Sequence, residues 1–352
     1  CLFVWACLVG SVSAGEPAAG VEPLPGTQPL SWTDDLASRM VDGADRFLLR
    51  KLEASIAERA QHWQRDFSSP EAYQKSIEPN RKRLAHILGV RDERLACDGP
   101  DIVAAPGQPT EVGRGPGYKI FAVRWPVMRL IHGEGLLLIP EGKPPAARVV
   151  ALPDADQTPE MICGLADGVP VASQYARRLA ENGCLVLVPM LVNRELQARH
   201  GRATVTNREF LYRSAFELGR HLIGYELQKV LAGVDWFVKD AGQSPAKIGV
   251  IGWGEGGMLA LYAAALDPRI DAVCVSGHFD SRQDIWQQPI DRNVFGLLEQ
   301  FGDAELASLI APRPLIVEAC RGPELELPSK GGAPARLVTP QLASVQAEVA
   351  RA

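Results

Sequence analysis

The sequence predicts an α/β fold: a mostly parallel sheet flanked by helices, with an antiparallel N-terminal edge and a helical N-terminal extension. Three observations carry that expectation. From residue 147 onward, short and nearly continuous apolar runs alternate with helical stretches, the pattern of strands buried on both faces. Ahead of them stand two apolar runs separated by a short break, which suits an antiparallel pair. Deep in the alternating part lies KIGVIGWGEGGMLALYAAAL, residues 247–266, which reads as strand, glycine-rich turn and helix.

The chain has 352 residues, room for one large domain with an appendage. It carries 37 basic and 42 acidic side chains, a net charge of -5, and no dense Lys/Arg stripe, so a nucleic-acid partner is not expected. The short RKR at residues 81–83 reads as a solvated helix face. Residues 1–14, CLFVWACLVGSVSA, read as the apolar core of a secretory signal peptide, with Val12 and Ala14 at the small-residue cleavage positions. The run is shorter than the roughly 18 residues a membrane span needs. The expectation is export to the periplasm or outside the cell, with no stable membrane insertion after signal removal. The cysteines are Cys1, Cys7, Cys97, Cys163, Cys184, Cys274 and Cys320, without a CxxC pair, so no zinc site and no cofactor are expected. Cys184 and Cys274 fall in apolar strand-like runs and read as core residues.

Residues 15–30 are rich in Pro, Gly and Ala and read as a flexible leader. Residues 31–97 form the helical extension. SWTDDLASRM opens with capping chemistry, and Leu36, Met40, Phe47, Leu48, Leu52 and Ile56 recur at helical spacing. After Pro70 a second helix carries Tyr73, Ile77, Leu84, Ile87 and Leu88. Residues 98–117 read as a Gly/Pro-rich linker, and residues 118–352 as the main domain. In it, YKIFAVRW and GEGLLLIP are the antiparallel pair. Strands follow at ARVVALP, CLVLVPM, KIGVI, DAVCVSG and RPLIVEA. Helices are expected over 171–183, over about 208–239 with a break near 219–224, at GMLALYAAAL and at NVFGLLEQF.

The glycine turn admits two readings. As a nucleophile elbow, G-x-S-x-G, it matches Gly252 and Gly256, with Gly254 where serine should stand. As a dinucleotide fingerprint, G-x-G-x-x-G, it matches Gly252, Gly254 and Gly257, with Asp280 as the ribose-binding acid. Five candidate strands precede the turn, whereas a dinucleotide fold puts it after the first. GEGLLLIPEG, ALDPRIDAVCVSGHFDSR and LIAPRPLIVEA resemble strand regions of the α/β-hydrolase superfamily, in its dienelactone-hydrolase-like and acetyl-xylan-esterase-like branches. That resemblance spans about residues 118–319 and implies an α/β-hydrolase fold. It also implies a Ser–acid–His triad in that chain order. The elbow serine is absent, no histidine follows His278, and Glu318, Glu324 and Glu326 are insecure matches for the acid. TPQLASVQAEVARA resembles the helix before the eighth strand, after which the histidine would come, so the domain reads as incomplete at its C-terminus.

The carboxyl ends of parallel strands gather one set of side chains without any family knowledge. These are Asp154, Asp156 and Gln157 after the third main-domain strand, and Arg194 after the fourth. Trp253, Gly254 and Glu255 form the turn, His278 and Asp280 follow the sixth strand, and Glu318 ends the seventh. Glu255, His278 and Asp156 are the catalytic candidates, with Glu255 promoting attack by water in place of serine. Asp154, Gln157, Arg194, Trp253, Asp280 and Glu318 line the pocket. Glu255 at a helix start is also what the helix dipole alone favours. His62, His86, His132, His200 and His221 read as structural or exposed. Three functions stay open: hydrolysis of carboxylic esters such as carbohydrate acetyl esters by a non-serine route, binding of a small molecule or partner without catalysis, and metal-assisted hydrolysis.

Overall fold

The computed structural model describes residues 24–201, 203–243, 245–330 and 332–352. Residues 1–23, which hold the expected signal segment and the start of the expected leader, lie outside the described residues. The chain divides after Lys51 into two units, and helix α1 (Leu36–Glu58) runs through the division. The helix forms where its periodicity predicts, but Met40, Phe47 and Leu48 of its apolar stripe are exposed.

The larger unit, Leu52–Ala352, is built on nine strands. After α2 (Pro70–Ile87) come β1 (Asp101–Ile102), β2 (Glu111–Gly115), β3 (Tyr118–Met128), β4 (Ile131–Pro140) and β5 (Arg148–Leu152). Helices α3 (Pro159–Cys163) and α4 (Tyr175–Glu181) lead to β6 (Leu185–Pro189), and a hairpin β7 (Leu196–Arg199) and β8 (Ala203–Thr206) follows. Then come α5 (Asn207–Glu217), α6 (Leu222–Asp240), β9 (Ile248–Trp253), α7 (Glu255–Leu266) and β10 (Ala272–Ser276). The chain continues through α8 (Leu297–Gln300), α9 (Asp303–Ile310), β11 (Leu315–Glu318), a second hairpin of β12 (Leu325–Leu327) and β13 (Ala335–Leu337), and α10 (Leu342–Arg351).

The main sheet has the order β1-β3-β4-β6-β5-β9-β10-β11, with β2 also on β3. Pairing is antiparallel from β1 to β6 and parallel from β6 to β11. Leu187, Val150, Val250 and Val273 stand in register across the parallel half, and all four are buried. One face packs against α3 and α4 through Ile162, Cys163, Ala176 and Ala180. The other packs against α6 and α7, and α2 and α9 pack in turn on α7. This is the doubly covered parallel sheet that the apolar strands predict.

Several expectations need correction. Residues 98–117 hold β1 and β2, which cover the outer edge of β3. Both hairpins were unmarked by any alternating run long enough to signal a strand. Over 171–183 only a 3₁₀ turn and the short α4 form, and over 293–301 only α8. Arg81 is not solvated: it is 6% exposed, donating to the Ala265 carbonyl at the end of α7 and to the Leu309 carbonyl at 3.2 Å. A guanidinium at a helix C-terminus satisfies carbonyls that have no partner within the helix.

The chain leaves β5 toward β6 on one side and returns to β9 on the other. The loops after β5 and β9 therefore part at a topological switch point, where open α/β sheets form their crevice.

Candidate functional site

Gly254 joins β9 to α7 with φ +60° and ψ −116°. Glycine alone holds that conformation without steric strain. A Cβ on Gly254 would lie 2.5 Å from Asp154 Oδ1 and 3.0 Å from the Pro323 ring. Gly252 and Gly256 are needed because the backbone closes on itself: a Cβ on Gly252 would lie 2.1 Å from the Gly256 carbonyl, and one on Gly256 2.1 Å from the Leu152 carbonyl. The turn has the sharp strand-to-helix shape of a nucleophile elbow, with no side chain at its apex.

Asp154 fills the space the apex leaves. Its Oδ1 accepts from the Glu255 N–H at 3.0 Å, the donor that follows the apex residue and would face an oxyanion in an acyl-transfer site. The Asp154 N–H donates to Gln157 Oε1 at 3.1 Å, and the Asp156 N–H to Asp154 Oδ2 at 3.3 Å. The backbone donors around the turn are already satisfied by carboxylate and amide oxygens of the chain itself.

Glu255 is fully buried. Its Oε1 accepts from Arg208 Nη2 at 2.7 Å, and its Oε2 from Arg194 Nη2 at 2.8 Å and Arg292 Nε at 2.9 Å. Burial alone raises a carboxyl pKa, but Arg208, Arg292 and Arg194 outweigh it and hold Glu255 well below the usual carboxylate range. A general base works best near the operating pH and must reach the proton it takes. Glu255 meets neither condition, which corrects the expectation that it activates water; it is the counter-ion of three guanidinium groups.

The network runs on in both directions. Arg208 uses all five of its N–H donors: Nε to Asp291 Oδ2 at 2.7 Å, Nη1 to Val192 O at 2.9 Å and Glu226 Oε1 at 3.0 Å, Nη2 to Glu226 Oε2 at 3.0 Å and to Glu255. Arg194 Nη1 donates to Asp154 Oδ2 at 2.5 Å and Asp156 Oδ2 at 2.9 Å. Asp156 is the member that reaches solvent, its side chain 48% exposed. Loops after β5, β6 and β10 and the helices α5, α6 and α7 are thus tied at one buried point.

The remaining candidates sit apart from that point. His278 is buried beside a second pair, in which Arg282 Nε donates to Asp303 Oδ1 at 3.0 Å, and its Nε2 is 3.9 Å from Asp303 Oδ2. Burial, then the charges of Arg282 and Arg292, push the His278 pKa well below its ordinary value, so the ring is neutral. Asp280 accepts from Ser344 Oγ on α10, and its N–H donates to Asp303 at 3.1 Å, so it faces α10 and offers nothing to a ribose. Glu318 accepts from Ser276 Oγ at 2.5 Å. Trp253 Nε1 donates to the Arg321 carbonyl at 2.9 Å.

Arg208, Glu226, Asp291 and Arg292 escaped the sequence reading. One signal pointed to them: Glu226 lies between Ile223 and Val230 on the apolar stripe of α6, and a charge there requires a buried partner. Among the described residues, no three His, Cys, Asp or Glu side chains are placed to hold a metal ion, since the carboxylates are turned to arginine. The described cysteines, Cys97, Cys163, Cys184, Cys274 and Cys320, are free thiols. No helix among the described residues is long and apolar enough to cross a membrane.

Known proteins place this arrangement. The Bacillus subtilis (strain 168) protein YtaP, named as a hydrolase, is 33% identical over 111 residues, which are 30% of this chain and 37% of YtaP. The chain thus matches little more than a third of its curated relative. A Bacteroides fragilis structure assigned as an acetyl xylan esterase superposes with a TM-score of 0.53 at 17% identity, over 71% of this chain and 68% of that one. Methylesterase BT1017 gives 0.46 at 18% identity over 71% and 52%. The fold is that of the α/β-hydrolases and not a dinucleotide-binding fold. The model of the dienelactone hydrolase family matches residues 147–296, from the start of β5 through the elbow to the loop that carries Arg292, and this stretch of the chain is a dienelactone hydrolase family domain.

Proposed function

We propose that this domain is a non-catalytic member of its family, a hydrolase fold in which the elbow crevice has become a structural ion network and the remaining function is to bind a small molecule. One observation carries the reading. The Asp154 carboxylate crowds the position of a nucleophile's Cβ, one oxygen only 2.5 Å from it, and accepts the N–H that would hold an oxyanion. Loss of a serine nucleophile alone costs about 10⁶ in turnover. Here the adjacent electrostatics oppose an anionic intermediate as well. The esters named for the similar folds make carbohydrate esters the reference ligands, and export, read from residues 1–14, belongs to the same proposal.

The test is hydrolysis of 4-nitrophenyl acetate and of acetylated xylan, with and without added divalent metal, by wild type and Asp156→Asn. Turnover at the no-protein blank under every condition is expected. A rate above the blank that Asp156→Asn abolishes would overturn the proposal, and would make the half-exposed Asp156 the residue that activates water.

A further inference from the structure

Away from the elbow, the loop after β6 forms one wall of a groove of about 510 Å³, within the size range of small-ligand sites. Met190, Leu191, Phe210 and Leu211 give it apolar walls, and Arg199 and Lys229 stand at its polar side. The hydrogen-bond inventory of that side is lopsided. Asn207 Oδ1 accepts from Arg199 Nη2, and Asn193 Oδ1 accepts from Asn207 Nδ2 at 2.7 Å. The amide acceptors are thereby engaged. Arg199 Nε, buried, has no acceptor, and neither Arg199 nor Lys229 has a carboxylate within 4.0 Å among the described residues. The one acid in the lining, Glu134, is matched by Arg124 Nε at 2.8 Å. What the groove has left to offer is donors and positive charge, beside apolar surface.

We infer that this groove binds a small aromatic carboxylate, its ring between Phe210 and Met190 and its carboxylate on Arg199 and Lys229. A carboxylate accepts through both oxygens and supplies the charge that the groove lacks. Arg199 already lies over the Phe210 ring, 4.6 Å from its centroid, which holds the guanidinium in place. The wall is also fixed from behind, because Val192 donates to Glu226 at 3.0 Å and accepts from Arg208 at 2.9 Å. A preformed wall lowers the ordering cost of binding. The site shares no residue with the elbow turn, so it stands or falls independently of the esterase assay.

The experiment is titration with 2-naphthoate and with its neutral counterpart 2-naphthalenemethanol, followed by calorimetry. Saturable naphthoate binding with Kd at or below about 1 mM is expected. The alcohol should bind about tenfold more weakly. Arg199→Ala and Lys229→Ala should each weaken naphthoate severalfold while leaving the alcohol unchanged, and Arg199→Lys should retain part of the loss. Both positions are partly exposed, and a cooperative melting transition verifies that the variants fold. Equal binding of acid and alcohol, absence of saturable binding, or naphthoate binding indifferent to both alanine variants would each overturn the assignment.

Discussion

The crevice at Gly254 and the groove beside Asn193 share the segment that follows β6, yet they use charge in opposite ways. In the crevice, Arg194, Arg208 and Arg292 face Asp154, Glu226, Glu255 and Asp291, and each guanidinium is matched by carboxylates inside the protein, although Arg194 Nε has no acceptor of its own. In the groove, neither Arg199 nor Lys229 has a carboxylate within 4.0 Å among the described residues. A cluster of ionisable side chains at the carboxyl edge of a parallel sheet is where a site is expected. Location alone does not make a site. A ligand is recruited by charge that the chain leaves unmatched, and the crevice pairs its arginines with its own carboxylates.

The comparison is most exposed to failure at Glu255. Replacing it by glutamine leaves Arg194, Arg208 and Arg292 buried around a neutral amide, and removing one member of a buried ion set costs about 3–5 kcal/mol. Glu255→Gln should therefore lower the denaturation midpoint by a large step, read by urea titration. A variant as stable as wild type would mean that the carboxylate is held there for chemistry and not for structure.

Next in size is Gly254→Ser. The substitution puts a Cβ 2.5 Å from Asp154 Oδ1, and Asp154 is pinned by Arg194. Strain at positive φ adds about 1–2 kcal/mol. The variant should be less stable than wild type by a few kcal/mol in all and should hydrolyse no 4-nitrophenyl acetate. Brisk turnover would show that the loop yields and that the rest of an acyl-transfer site is intact.

The pH dependence gives a smaller effect of known sign. His278 and His221 are both held below their ordinary 6.5, chiefly by burial. His221 is neutral for a visible reason: its Nδ1 accepts from the Ile223 N–H at 3.1 Å as the cap of α6, while its Nε2 lies 3.0 Å from the Asn293 carbonyl. Below 6.5 the unfolded chain binds protons that the folded ring refuses, so stability falls as pH drops through that range. His278→Gln should flatten the slope of melting temperature against pH below 6.5. A slope identical to wild type would place the ring in water. Glu255 acts in the same direction at lower pH. Its contribution, present above the ordinary carboxylate pKa, disappears only under strong acid, because its folded value lies well below that range.

Much of this fold was readable from the sequence because its strands are apolar on both faces and its helices are stopped by Gly or Pro. The parallel half and the elbow need nothing more than that pattern. The short edge strands β1 and β2 left no such trace, since their side chains are mostly exposed and their order comes from β3. The site was half legible. Asp154, Arg194 and Glu255 follow from the rule about strand ends, but their partners Arg208 and Arg292 come from segments that the rule does not address. Spacing along the chain also cannot reveal that Asp154 turns inward to take the Glu255 N–H. That contact depends on the sheet order, which sets the loop after β5 next to the turn after β9.

The smallest expected effect separates the two regions most directly. Lys229→Ala removes a cation with no carboxylate partner among the described residues, so it should change folding stability by less than about 0.5 kcal/mol. Arg199→Ala should cost about 1–2.5 kcal/mol, the worth of one hydrogen bond to Asn207 and a stack on Phe210. The same change at Arg194 removes the partner of buried Asp154 and Glu255 and belongs with the large losses. Three arginine or lysine truncations, measured in one denaturation series, thus rank the regions by how far each uses charge internally. A loss at Arg199 as large as that at Arg194 would mean that the groove's donors are structural too, and the distinction between a satisfied crevice and an unsatisfied groove would collapse.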